Sequence, residues 1–150
     1  MLTLTEQQIK EIAEQLDCGF RSFWHKPTGE LLYIPDFNND PFSVTEFYKD
    51  DLEKLDNNFS DYIEIEKPTS TDNFEIMANF TEQLNDNKAL KSELINALNK
   101  KKPFREFKFV IDNAGVYRQQ WFDFKHLQLK QWVSIKFSEA TYDNRDYDSI

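Results

Sequence analysis

The sequence predicts an α+β protein: a small antiparallel sheet of about three strands packed with about five helices, helix-rich in its C-terminal half. Three observations carry that reading. Two short aromatic and β-branched runs flank a turn built on Pro27 and Gly29. Beyond Pro68, apolar residues recur at helical rather than strand spacing. The 150 residues include 14 Phe, 6 Tyr and 3 Trp but only 3 Gly and 5 Pro, so bulk for a core is plentiful and breakers are few. A chain of this length is expected to form one domain and to bury roughly 68–70% of its unfolded surface. We place that domain at residues 1–138 and read residues 139–150 as an acidic tail, a candidate disordered segment.

The first helix opens on Thr5 and Gln8, which have capping-box spacing. Ile9, Ile12, Ala13 and Leu16 follow along one face, and Gly19 suits its end. FRSFWHKPTGELLYIP then reads as a β-hairpin, because Pro27 presets φ for the turn and Gly29 tolerates a positive φ. DFNNDP (36–41) is a loop, and a short helix is expected over residues 45–55. YIEI (62–65) is a third strand, with Ile63 and Ile65 on one face and Tyr62 and Glu64 on the other. Ser70 or Thr71 caps the next helix, in which Phe74, Met77, Thr81 and Leu84 share a side, widened by Ala78 and Phe80. Leu90, Leu94, Ala97 and Leu98 mark another. Pro103 stands at a helix start, where its missing N–H costs little. Phe104, Phe107 and Ile111 lie on one face of that helix, and Gly115 ends it. The last helix covers about residues 117–133. The following VSIKF alternates like a strand, so residues 133–138 fit helix or strand.

Charge is divided along the chain. Residues 1–97 hold 8 Lys/Arg against 20 Asp/Glu, residues 98–138 hold 9 against 3, and residues 139–150 hold one against four. A basic, aromatic stretch therefore sits in a chain of net charge −9.

TGELLYIP, YIEI, FEIMANF, FREFK and WFDFK…W occur here in an order and at spacings that resemble a bacterial family of unassigned function, uncharacterised protein family 0158. The resemblance covers roughly residues 5–133. It implies a small bacterial α+β protein and supplies neither a reaction nor a catalytic residue.

Most enzyme chemistry finds no support in the residues. Asp36, Asn38 and Asp40 alternate like the start of a calcium loop, but Pro41 and Phe47 stand where an EF-hand needs Gly and Glu. Cys18, His25 and His126 lack zinc-ligand spacing. There is no G-x-S-x-G, no Gly-rich phosphate loop and no H-E-x-x-H. A Cys18/His25 dyad is conceivable, but a buried structural Cys18 and a half-exposed structural His25 are the expectation. Acid pairs such as Glu64/Glu66 and Asp50/Asp51 are solvated faces as readily as general acids. We therefore expect no metal and no cofactor. No run approaches the roughly 18 apolar residues of a membrane span, and the N-terminus lacks a signal-peptide pattern. With one cysteine, a cytoplasmic location is expected.

On a helical wheel Tyr117, Trp121, Phe124 and Trp132 form one stripe and Phe122, Leu129 and Val133 a second, with Arg118 and Lys125 in the seam. Trp121, Arg118 and Lys125 are accordingly expected to be structural. The two cations should lay their stems across the core and pair with carboxylates of residues 1–97. Lys100, Lys101, Lys102, Arg105 and Lys108 are expected to be solvated, and Lys101, Lys102, Arg105 and Lys108 are the candidate binding residues. The leading function is a non-catalytic interaction module with a protein partner. The alternatives are a nucleic-acid-associated protein using the basic segment 100–108 and an enzyme with an unrecognised carboxylate site. An exposed apolar patch supports the first, a basic ridge the second, and a pocket of convergent carboxylates the third.

Overall fold

The chain folds in the order α1 (Glu6–Asp17), β1 (Phe20–His25), β2 (Leu31–Pro35), α2 (Lys49–Asn57), β3 (Tyr62–Ile65), α3 (Ser70–Glu82), α4 (Lys88–Leu98), α5 (Pro103–Asp112) and α6 (Val116–Asp148), with a 3-10 turn at Phe59–Asp61. This computed structural model describes residues 3–36 and 47–148, and side chains as far as residue 142. The expected α+β class holds, with one three-stranded antiparallel sheet and six α-helices among the described residues. Two compact units emerge: residues 1–67 with 129–150, and residues 68–128.

The first unit is built on the hairpin. Thr5 accepts from the Gln8 N–H (3.1 Å) while the Gln8 side chain accepts from the Thr5 N–H (3.0 Å), closing the expected capping box of α1. Gly19 ends the helix at φ +86°, a conformation that a Cβ would strain. β1 lies between β2 and β3, antiparallel to both, with Ser22 opposite Tyr33 and Ile65. Strand alternation sends Trp24, Ile63 and Ile65 to one side of the sheet, where they pack with Ile12, Ala13 and Leu16 of α1 and with Leu129, Val133 and Phe137 of α6. Trp24 meets Phe137 edge to face at 4.8 Å. Phe23 and Ile34 point the other way, onto Leu55 of α2. The sheet thus has helices on both faces, because both sides of β1 carry a large apolar residue, Trp24 on one and Phe23 on the other.

The second unit is all helical. Its core gathers Ile76, Met77, Phe80, Leu84, Leu90, Leu94, Phe107, Ile111 and Trp121. The helix starts explain its boundaries. Thr69, not Ser70 or Thr71, caps α3: it accepts from the Asp72 N–H (3.2 Å), and Asp72 accepts from the Thr69 N–H (2.9 Å). A capping box needs an acceptor three residues on, and only Thr69 has an acid there. Thr69→Ala should lower the stability of this unit by about 1 kcal/mol, with Ser70→Ala nearly silent. Equal losses in denaturant midpoint for the two variants would contradict this cap assignment. Asn87 caps α4, Pro103 is the first residue of α5, and Gly115 (φ +60°) makes the turn into α6.

α6 runs from Val116 to Asp148, well past the expected end near residue 133. The VSIKF segment is helical. Residues 139–148, expected as a tail, continue this helix. Residues 45 and 46 of the expected short helix, and Asn38, Asp40 and Pro41 of the calcium-loop test, lie outside the described residues. Cys18 is exposed at the end of α1 rather than buried, since the chain must leave the core there to reach β1. No helix among the described residues is long and apolar enough to cross a membrane.

Candidate functional site

α5 begins immediately after three consecutive lysines and carries its two most buried residues, Phe107 and Ile111, on one face. Successive residues turn by about 100°, so Phe104, Lys108, Asp112, Arg105 and Phe109 follow one another around an arc that starts beside Ile111 and ends opposite the core face. All five are exposed, as are Lys100, Lys101 and Lys102. Phe104 was expected on the core face; it sits at the edge of that face and is 44% exposed. Phe109 points furthest from the core and is 70% exposed. Val116, the first residue of α6, is 72% exposed, and Phe122 one and a half turns further on is partly so.

The cations on this surface are largely committed to two acids. Lys100 (3.7 Å) and Arg105 (3.4 Å) both reach Glu106. Lys108 (3.6 Å) and Arg118 (3.1 Å) both reach Asp112. Arg118 also lies over the Phe122 ring at 4.7 Å. The result is a connected run from Lys108 through Asp112 and Arg118 to Phe122. Lys101 and Lys102 have no carboxylate partner among the described residues. Exposed pairs of this kind add little stability, on the order of 0–1 kcal/mol each.

Arg118 corrects one expectation. It pairs with α5, not with the acidic half of the chain, and its side chain is 51% exposed rather than laid across the core. Only residues 113–115 separate the two helices, so Asp112 is the nearest carboxylate the guanidinium can reach. Lys125 is half-buried. Trp121 is buried as expected, with its ring 4.9 Å from Phe107 and 5.4 Å from Phe80. The expectation missed Phe109, Glu106 and Asp112. Their signal lay in the sequence: Phe109 falls off the apolar stripe of α5, and Lys108 and Asp112 stand four apart on it.

The other sites tested offer less. A cleft of about 350 Å³ is lined by Arg21, Asp36, Glu64, Glu66 and Lys67. Its carboxylates converge, but Arg21 donates two bonds to Glu64 (3.0 and 2.8 Å) and Lys67 binds Asp36 at 2.7 Å. The Arg21 guanidinium is held above its usual range, first by that hydrogen bond and, against partial burial, by the Glu64 and Asp36 charges. Glu64 and Asp36 are therefore occupied as ion-pair partners. An open groove of about 620 Å³ runs between α1 and α6, lined by Ile9, Lys10, Lys130, Ser134 and Ile135 among others. Glu6 and Gln7 line it too, but no hydrogen bond or ion pair joins Glu6, Lys10, Lys130 and Ser134 to one another among the described residues. His25 hydrogen-bonds Thr28 (2.7 Å) and packs on the Tyr62 ring. Cys18 precedes the strand that His25 ends, and five residues of strand span roughly 16 Å, too far for a dyad. No group of three or more His, Cys, Asp or Glu suited to a metal ion occurs among the described residues.

A family model described as an uncharacterised protein family, UPF0158, matches residues 1–142. No curated protein and no solved structure matches the chain.

Proposed function

We propose that this chain, which belongs to the uncharacterised protein family UPF0158, is a non-catalytic protein-interaction module whose contact surface is the outer face of α5 together with the start of α6. The observation that carries this reading is the set of large apolar side chains left in solvent there: Phe104, Phe109, Val116 and Phe122. A domain of this size has core enough to bury them, and clustered apolar exposure beside polar groups is a mark of protein contact. The neighbouring charges support the same choice. A phosphate-binding ridge tracks a polyanion with an unbroken row of cations, whereas here Glu106 and Asp112 each stand between two of them. Only Lys101 and Lys102 favour the nucleic-acid alternative. Against the enzyme alternative stands the ion pairing of Glu64 and Asp36. The exposed lone thiol of Cys18 suits a reducing compartment, which supports a cytoplasmic location.

The test compares immobilised wild type with Phe109→Ser and with Lys101→Gln/Lys102→Gln/Arg105→Gln, in nuclease-treated native lysate. The reading expects a protein retained by wild type and lost from Phe109→Ser. In parallel, anisotropy with a labelled single strand and duplex should give affinities no better than about micromolar at physiological salt. Tighter binding that disappears in the triple variant would put the nucleic-acid reading in its place.

A further inference from the structure

The largest solvent-exposed apolar side chains do not all lie beside α5. Phe47 (78% exposed) and Phe59 (73%) bracket α2. Their surroundings carry the opposite charge. Residues 47–61 hold five Asp/Glu against two Lys, whereas residues 100–108 hold five Lys/Arg against one Glu. On α2, Leu55 is buried and Leu52 half-buried, while Asp56, Glu53 and Asp50 fall within an arc of roughly 120° on the solvent side, with Lys49 among them. On α5, Lys108, Asp112, Arg105 and Phe109 fall within an arc of roughly 100°, also on the solvent side, two cations to one acid. One chain thus presents two helical faces of matching build: aromatic rings at the margins, acids on one, bases on the other.

We infer that the outer face of α5 binds α2 of a second copy of this chain. The inference rests on reading α5 as a protein-contact face, and it names the partner. Lys101 and Lys102 meet Asp50, Glu53 and Asp56, together with Arg105 and Lys108, whose exposed pairs with Glu106 and Asp112 are weak enough to exchange, and the exposed rings of Phe109 and Phe59 leave water in the same contact. Surface ion pairs steer such an encounter and fix its register, while the rings supply the apolar burial. A contact between two short helices covers less than the roughly 1,600 Å² of a standard interface, so association is reversible and salt-sensitive. Each such contact joins α5 of one copy to α2 of another, so the two surfaces can be altered one at a time.

That asymmetry gives a test that misfolding cannot imitate. The measurement is sedimentation equilibrium over a concentration series, at low and at high salt. Wild type is expected to rise above the 17.9 kDa of one chain with concentration and to return towards it at high salt. Arg105→Glu/Lys108→Glu should stay at one chain, since its basic face is reversed. Glu53→Lys/Asp56→Lys should do the same, since its acidic face is reversed. Mixed together, the two should associate again, because the acidic α2 that the first retains meets the basic α5 that the second retains, and the two reversed faces are complementary as well. All four positions are exposed, and circular dichroism checks that both variants are folded. Wild type at one chain throughout, or a mixture that never exceeds one chain, overturns the inference. If wild type stays at one chain yet still retains a lysate protein that Phe109→Ser releases, the interaction-module reading stands and the second copy is excluded as its partner.

Discussion

Trp121→Ala is expected to lower stability by about 3–5 kcal/mol, read as a shift of the chemical-denaturation midpoint. The indole is buried at the centre of the helical unit, edge-on to Phe107 at 4.9 Å and to Phe80 at 5.4 Å. Truncation removes the transfer free energy of a large side chain and two aromatic contacts, each worth about 0.5–1.5 kcal/mol beyond area. The cavity cannot close cheaply. Its walls include α3 and α5, which are also held in this core by Met77 and Ile111. Trp121→Phe should recover much of the loss, because it refills most of the volume. The measurement also bears on function. Trp121 shares a helix with the exposed Val116 and Phe122, and an unchanged midpoint for Trp121→Ala would move it from the core to the contact surface.

How much of this was legible in the sequence depends on the kind of signal. The hairpin, the third strand, the box on α1 and the Pro103 start each rest on local stereochemistry, and local stereochemistry is written in the residues. Phe107 and Trp121 were legible as core because each sits on the apolar stripe of its helix. Arg118 was not legible in the same way. A wheel places a cation in a seam, but its partner is decided by which carboxylate the fold brings closest. That was Asp112, six residues away, and not one from the acidic half. Cys18 was misjudged because composition speaks of average burial, whereas its exposure follows from the helix end at Gly19. The outer face of α5 was half legible: its five cations were evident, but the two acids that hold four of the surface's cations and the exposed Phe109 were read as background. A contact surface differs from a core by what is absent next to it, and absence of neighbours is a tertiary fact.

The segment after residue 133 was ambiguous for a physical reason, and it yields the second large prediction. Val133, Ile135 and Phe137 alternate, as in a strand, yet positions four apart share a face in a helix as well. The middle residue does not separate the two cases. Ile135 is exposed while Val133 and Phe137 are buried, which a helix and a half-buried strand both allow. The backbone of α6 resolves it. Ser134→Pro should cost about 3 kcal/mol or more, although Ser134 itself is exposed and its side chain only lines the open groove with α1. Proline removes the N–H that bonds four residues back, and its ring collides with the carbonyl of Lys130. The resulting kink falls between Val133 and Phe137, two residues that pack into the same core, and it pulls the Phe137 ring from the edge of Trp24. Ser134→Ala is the control, since it keeps the N–H and improves helix propensity by at most about half a kcal/mol. The pair is read by the denaturation midpoint, with helical content followed by circular dichroism. A Ser134→Pro protein as stable as Ser134→Ala would mean that α6 is not continuous through residues 130–137. The packing of Phe137 against Trp24 would then need another support.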